Sequence, residues 1–367
     1  MQQIADIIQF AKANKSVLQA ENCWVEPFNN MQKHAFNAMV LLSLENHAEL
    51  CRFLNTNISE LENIINAPSY KHFTIRKRRG GERHIHAPEK QLKIIQSRLN
   101  YFLQAWYLQI KPNEVHGFVI NPHYLGEHCN IVANAAVHTG KKQVLNIDLK
   151  DFFPSIPARH VKNIFTSPFF NFNEPMAIAL TLLTTYEGKL PVGAPTSPVL
   201  SNFACLMLDA RLRYFCDLNG LAFTRYADDL TFSSEAIISD DTVQDIIQII
   251  RGNGFEINKR KLRIQPSNRK QTVTGLTVNE KVNVDRKLLK RIRAMLHELV
   301  KYGLFIATRH HFRPTVAVDA RLQTRFLYRL GGYINFVGQV RGKNDALYLK
   351  LKKQFDPLLA QLRFPKF

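Results

Sequence analysis

Cysteine is scarce and unpatterned in this sequence. Its five residues, Cys23, Cys51, Cys129, Cys205 and Cys216, are odd in number and include no Cys-x-x-Cys pair. That argues against a disulfide framework and a zinc site, and for ordinary thiols in a reducing cytoplasm. Long apolar runs are also missing: nothing approaches the roughly 20 consecutive apolar residues of a membrane-spanning helix, and no amphipathic anchor is read, so no membrane partner is expected. Residues 1–20 carry an Ile4, Ile7, Ile8, Ala11 stripe at helical spacing but no basic start and small-residue cleavage site, so no secretory leader is read. Acidic residues are few, 30 against 49 Lys and Arg, which leaves a net charge of +19 and a pI near 9.8. With membranes set aside, the polyanion such a surface selects is nucleic acid. The excess is concentrated, because residues 281–367 hold 19 Lys and Arg against 5 Asp and Glu.

What is present is apolar material for two or three domain cores, 46% of 367 residues. The chain is organised around Arg225-Tyr226-Ala227-Asp228-Asp229-Leu230, flanked by the alternating, aromatic and β-branched runs Leu221–Thr224 and Thr231–Ser233. This pattern predicts a tight β-hairpin with the two acids at its tip. Adjacent carboxylates there repel each other and gain nothing for folding without a cation, and Mg²⁺ suits all-oxygen ligation. Another carboxylate is needed from elsewhere, and Val144, Leu145 and Ile147 predict a buried strand whose end presents Asp148.

At these residues the sequence resembles the reverse transcriptases. The Tyr226–Asp229 box is similar to their hairpin motif, and Asp148 falls where their first catalytic aspartate lies. The resemblance implies Asp148, Asp228 and Asp229 as catalytic residues, with the Leu149 backbone carbonyl joining them as ligands of two Mg²⁺ ions. Phe73–Arg79 and Glu82–His86 flank Gly80-Gly81, a basic hairpin. In the family such a hairpin holds the triphosphate of the incoming nucleotide, which implies that role for Lys77 and Arg83. His84 and His86 lack a third ligand, so no metal site is read there. Phe153, five residues after Asp148, matches the family's gate against a 2′-hydroxyl, and of the neighbours Phe152 and Phe153 one is expected in the core. The Gly193-x-x-x-Ser197-Pro198 loop matches the family's nucleotide-facing turn, but Val192 stands where many relatives have Gln. Lys261, with Lys259 as rival, matches the lysine that approaches the leaving pyrophosphate. Asn134-Ala135-Ala136-Val137-His138 and Val273-Thr274-Gly275 resemble segments of the retron reverse transcriptases, which implies Asn134 and His138 as RNA-binding, with a core role capping local backbone as the alternative.

The remainder reads as helical. Residues 1–70 form a helical extension, with an apolar face at Phe36, Met39, Val40 and Leu44 and a Ser59/Glu62 capping box opening a helix that Pro68 stops. A Leu92, Ile95, Leu99, Phe102 stripe follows. In the basic C-terminal part, Arg286, Lys290 and Arg293, and again Arg321, Arg325 and Arg329, recur along helix faces beside apolar stripes, an RNA-facing pattern when repeated within one domain. The expected fold class is α/β (α+β), a right-hand polymerase. Its parts are an N-terminal helical extension (1–70), fingers and palm around an antiparallel sheet (71–280) and a basic helical thumb (281–367). The resemblance implies a cytoplasmic RNA-directed DNA polymerase that copies a dedicated structured non-coding RNA into a branched RNA–DNA product for antiviral defence. Its implied partners are that RNA and its DNA copy, deoxynucleoside triphosphates, a separate effector protein and host RNase H, since no RNase H, endonuclease or maturase domain is read after the thumb. A group II intron-like, diversity-generating or abortive-infection polymerase, and a catalytically idle RNA-binding scaffold, are the alternatives.

Overall fold

The computed structural model describes residues 2–20, 28, 31–77, 80–122, 129–315 and 317–361. Cys23 and the hairpin-tip residues Arg78 and Arg79 lie outside these. Eight strands are present among them: β1 (Tyr70–Arg76), β2 (Glu82–Pro88), β3 (Gln143–Asp148), β4 (Ala222–Tyr226), β5 (Asp229–Ser234), β6 (Arg263–Pro266), β7 (Thr272–Val273) and β8 (Leu276–Thr277). They form a β1-β2 hairpin, a four-stranded sheet in the order β4-β5-β3-β6, and a small β7-β8 hairpin. The β1-β2 register pairs Tyr70 with Pro88 and Arg76 with Glu82. Gly80 and Gly81 both take positive φ at its tip, as a tight turn demands.

The chain packs into two compact units that each combine distant segments. The first comprises Met1–Cys129, Asn146–Phe232 and Ile238–Arg263; the second comprises Asn130–Leu145, Ser233–Ile237 and Ile264–Phe367. Residues 1–70 thus belong to the unit that also holds most of the sheet. Such units arise because core contacts made across long sequence separations, not chain order, define what packs together.

In the first unit the Lys90–Ile110 helix buries Leu92, Ile95, Leu99, Leu103 and Trp106, and the Trp106 indole N–H donates to the Phe169 carbonyl at 3.0 Å. Phe102 packs edge-on against Phe53 at 4.6 Å. Phe223 and Phe232 stack at 5.0 Å under the acid-bearing hairpin. Phe232 is fully buried, and a side chain of that kind contributes roughly 1.5–3 kcal/mol on burial. Val243, Ile246, Ile247 and Ile250 are all buried on the Asp240–Gly252 helix, which Ser239 caps. Of the expected N-terminal face, Phe36 and Leu44 are buried while Met39 and Val40 are half-buried. The helix expected to open at Ser59 opens at Ile58, because Asn57 is the cap and accepts from Glu60 N at 2.9 Å. Asn is at least as good an N-cap as Ser, so the earlier of two competing signals wins.

The second unit is built on the Arg286–Phe312, Ala320–Arg341 and Ala346–Gln361 helices. Ile292, Met295, Leu296, Phe326, Leu330, Ile334 and Val337 share one core with Val144, Val273 and Leu276. The first of these helices breaks at Gly303, whose φ of 78° no neighbouring helical residue adopts. Where Tyr348 packs against the middle helix, a Cβ on Gly338 would lie 2.6 Å from its ring.

Candidate active site

Strand β3 buries Val144, Leu145 and Ile147 and ends on Asp148, whose side chain is largely covered. Strands β4 and β5 meet in a turn where Ala227 takes φ +59°, Asp228 is half-buried, and Asp229, the more accessible residue of the two, opens β5 with its carboxyl still partly withdrawn from water. Leu149 N donates to Asp228 O at 2.9 Å, which ties the end of β3 to this turn, and Asn258 N, from the segment after the Asp240–Gly252 helix, donates to Asp148 O at 2.8 Å. The carboxylates sense one another. Loss of hydration, then the charge of Asp148, raises Asp228, with Lys261 and Arg83 pulling the other way. Loss of hydration, then Asp228 and Asp148, pushes Asp229 up to about 6. Such mutual repulsion marks a place that wants a cation. Lys261 supplies one, its Nζ 2.7 Å from Asp148 Oδ1.

A left-handed alanine costs about 1–2 kcal/mol, and the surroundings of this turn over-determine it. Arg225, fully buried one residue before Tyr226, sends Nη1 to the Ala227 carbonyl at 3.3 Å. Its Nε and Nη2 hold both carboxylate oxygens of the buried Asp209 at 2.7 Å, and Nη1 also donates to Asn202 Oδ1 at 2.9 Å. Burial works against the guanidinium charge, but Asp209 outweighs it and raises the Arg225 pKa further. Asn202 in turn donates to the Gly117 carbonyl at 3.1 Å, and His116 N donates to Arg225 O at 3.0 Å, so residues 114–117 run beside β4. Only glycine fits at 117, since a Cβ there would lie 2.3 Å from Ala227 N. Sequence reasoning gave no role to Asp209, Asn202 or Gly117. Arg225 beside the acid pair and the His116-Gly117-Phe118 string were the available signals.

A cleft of about 530 Å³ opens beside these groups, within the usual range for small-molecule sites. Its walls carry Lys77, Arg83, Asp148, Leu149, Phe153, Asp228 and Lys261, which draws seven of the expected site residues from four separated segments into one place. Lys189, Tyr186 and Phe118 also line it and were not foreseen. Phe152 is the core member of its pair, packed 6.0 Å from Phe255, whereas Phe153 is half-buried and stacks 5.7 Å from Phe118. The β1-β2 hairpin is pinned where His86 N donates to Val192 O at 2.8 Å, so the residue at the position occupied by Val instead of Gln makes a backbone contact there. Gly193, at φ +119°, lets this approach occur, because a Cβ would lie 2.8 Å from Ile85 Cγ2. Lys259 does not line the cleft.

Among the described residues, no group of three or more His, Cys, Asp or Glu side chains forms a metal cage. Asp148 and Asp228 face the cleft, and Asp229 is not part of its lining. Mg²⁺ is commonly held by one or two carboxylates with substrate phosphates completing its shell, so this all-oxygen pair beside a phosphate-sized cationic wall fits such an ion.

In the second unit the expected RNA-binding residues divide. Asn134 and His138 are buried at 1% and 0% exposure, and His138 Nδ1 lies 2.7 Å from Ser233 Oγ. Neither side chain is open to RNA in this structure; His138 is held by Ser233, whereas neither polar atom of the buried Asn134 amide has a hydrogen-bond partner among the described residues, so Asn134 caps no local backbone. The two retron-like segments share one buried core through Ala135 and Val273, and Thr274 Oγ1 donates to Ile131 O, just ahead of the first segment, at 3.2 Å. Arg286, Lys290, Arg293, Arg321 and Arg325 are exposed. Arg329 is exposed too but lies 4.5 Å over the Phe312 ring, so part of it serves packing.

The reverse transcriptase (RNA-dependent DNA polymerase) family matches residues 75–278, more than half of the chain. The retron Mx65 reverse transcriptase of Myxococcus xanthus is 36% identical over 280 residues, covering 71% of this chain and 63% of that protein. The retron Ec86 reverse transcriptase of Escherichia coli is 34% identical over 281 residues, covering 75% of this chain and 83% of that protein. The retron Mx162 reverse transcriptase of Myxococcus xanthus is 31% identical over 307 residues, 71% of this chain and 60% of that protein. This chain therefore spans less than two thirds of both Myxococcus relatives and most of the Escherichia one. Matches of this extent, reaching the same residues that build the cleft, mean that the chain belongs to the retron-type reverse transcriptases.

Proposed function

We propose that this protein is an RNA-directed DNA polymerase that copies a dedicated structured non-coding RNA into DNA from deoxynucleoside triphosphates. The observation that carries this reading is the cleft where Asp148 and Asp228 face Lys77, Arg83, Phe153 and Lys261. Asp148 and Asp228, with the Leu149 carbonyl and Asp229 at their flank, would hold two Mg²⁺ ions. Bound there, these would favour the ionised form of the attacking hydroxyl and offset the charge of the leaving pyrophosphate. The chain's own residues do the rest. Arg83 and Lys77 neutralise and orient the triphosphate, Arg83 through a fork that can bind two oxygens. Lys261, already at the carboxylates, carries a mobile ammonium toward the pyrophosphate. Phe153, backed by Phe118, closes the space a 2′-hydroxyl needs. No side chain is required as a nucleophile.

In this reading residues 71–280 serve as fingers and palm, the basic helices after 281 as an RNA-gripping thumb, and residues 1–70 as a supporting extension. The proposal extends to a product joined to its RNA by a 2′,5′ branch. It extends as well to action in antiviral defence in the cytoplasm, beside a separate effector and host RNase H. The test is synthesis by the purified protein on a primed RNA template with Mg²⁺, set against Asp228→Asn/Asp229→Asn, together with the nucleic acid that co-purifies. Loss of synthesis in the double variant with RNA binding retained is expected. Undiminished synthesis would sink the assignment, and co-purified DNA with no branch would remove the retron product.

A further inference from the structure

We propose that Phe118 is a second determinant of sugar selection: held in a left-handed backbone conformation by Gln104 and Asn202, it fixes the position of Phe153 in the cleft wall. Among the described residues eight other than glycine take positive φ, and Phe118, at +58°, is the one aromatic in that set. Asn and Asp tolerate this region because their short polar side chains can bond locally, whereas a bulky residue there is an outlier that its surroundings must enforce. The enforcement is visible. The Phe118 carbonyl accepts from Gln104 Nε2 at 3.0 Å and from Asn202 Nδ2 at 3.3 Å. Gln104, on the Lys90–Ile110 helix, is 8% exposed, and Asn202, on the Ser197–Ala204 helix, is fully buried. Two helices thus grip one carbonyl. Relaxing Phe118 to an ordinary backbone would strip both buried amides of that acceptor, so the strain is held rather than released.

What the held backbone presents is a ring. Phe118 stacks on Phe153 with centroids 5.7 Å apart and planes 30° apart, and both line the cleft. Phe153 also lies 5.6 Å from Phe152, which is 7% exposed. Phe153 is therefore packed against two rings, one fixed in the core and one fixed by the strained residue. A wall that excludes a single hydroxyl works only when it is placed to within about 1 Å. Without Phe118 the Phe153 ring has room to leave its rotamer, and the wall yields. Asn202 also accepts from Arg225 Nη1 at 2.9 Å, which links this hold to the acid turn. The Gln104 side chain bonds Phe118 alone among the described residues, so it reaches the Phe153 wall without touching that turn.

The presence of a nucleotide is taken from the polymerase reading, which the same assay tests separately. Deoxynucleotide incorporation on a primed RNA template by the unmodified protein reads the polymerase, and the ratio of ribonucleotide to deoxynucleotide kcat/KM reads the role of Phe118. Phe118→Ala should raise that ratio by at least about tenfold, and Phe118→Tyr should return it toward the parent's. A purely structural role lowers both substrates alike and leaves the ratio where it was. Phe118→Ala/Phe153→Ala should be no more permissive than Phe153→Ala, because the first residue acts through the second. Gln104→Met keeps the side chain's length and the Asn202 bond, should shift the ratio the same way by less, and carries the test should Phe118→Ala not fold. Thermal unfolding gives a readout independent of activity: Phe118→Gly should melt above Phe118→Ala, since glycine adopts the left-handed backbone at no steric cost. In an active parent, an unchanged ratio in Phe118→Ala or in Gln104→Met overturns the proposal. So does a fully additive double variant, or a Phe118→Ala protein that melts at or above Phe118→Gly. A parent that incorporates no deoxynucleotide removes the polymerase reading and the sugar assignment with it, while the melting comparison still decides the held backbone.

Discussion

Arg225 sits where local electrostatics and catalysis meet. Its guanidinium is buried against Asp209 and reaches the carbonyl of the one turn residue with a left-handed backbone, so it acts on Asp228 by holding the turn. Removing one member of a buried pair costs about 3–5 kcal/mol, whereas replacing both by apolar groups of similar volume is often neutral. Arg225→Met should therefore lower thermal stability severely, and Arg225→Met/Asp209→Leu should recover most of it. The double variant should still show kcat at least about tenfold down with KM for the nucleotide changed less than about threefold, because the grip on Ala227 is gone. Full activity in a stable double variant would make the pair a packing device only. At Phe153 the expected control is steric: Phe153→Ala should raise ribonucleotide relative to deoxynucleotide kcat/KM by about 10–200-fold, the range one shape contact commands. Phe152 is buried against Phe255, so if selectivity does not move, the gate lies with Phe118, which stacks on Phe153 in the same cleft.

Among the elements, those whose signal is local were legible. The Gly80-Gly81 turn, the Val243–Ile250 stripe and the alternating flanks of the acid pair each state their own conformation, since side-chain period and turn chemistry depend only on neighbours in sequence. The acid pair, the Asp148 strand and Lys261 were legible because their spacing matches a shared motif. Elements whose role is set by distant chain were not. Nothing within residues 130–145 says that they pack with the helices after 286, nothing near Ser59 ranks it below Asn57, and Gly117 has meaning only once β4 lies against it. Steric meaning of that kind can be measured. Gly117→Ala places a Cβ 2.3 Å from Ala227 N, so it should cost about 1–3 kcal/mol and depress polymerisation with it. Gly332→Ala is the control: it lies inside the Ala320–Arg341 helix with nothing within 4 Å of its added Cβ, and should be neutral or stabilise by about 0.5–1 kcal/mol. Thermal unfolding of the two variants beside the parent decides, and a Gly117→Ala protein as stable and active as the parent would remove the close approach as a constraint.

Over the whole molecule, acids and cations are unevenly placed. The groups that line the cleft with Asp148 and Asp228 belong to the first compact unit, while residues 281–367, with 19 Lys and Arg against 5 Asp and Glu, belong to the second. In the proposed function these are two tasks. Grip and chemistry should then be separable by substitution. Arg321, Arg325 and Arg329 recur every fourth residue on the Ala320–Arg341 helix, which lines them along one face, and all three are exposed. Each phosphate such a residue contacts releases counterions, so each contributes close to one unit to the salt slope of binding. Neutralising all three to Gln should make the slope for the cognate RNA shallower by about 2–3 and weaken binding at least about tenfold near 0.15 M salt. Extension of a generic primed template at saturating concentration should fall far less, because no cleft residue is altered. Arg329 should contribute least of the three, since its guanidinium is already engaged over Phe312, and single substitutions would rank them. A shallow slope in the parent protein, or one unchanged in the triple variant, would reduce the arginine row to a solvated helix face.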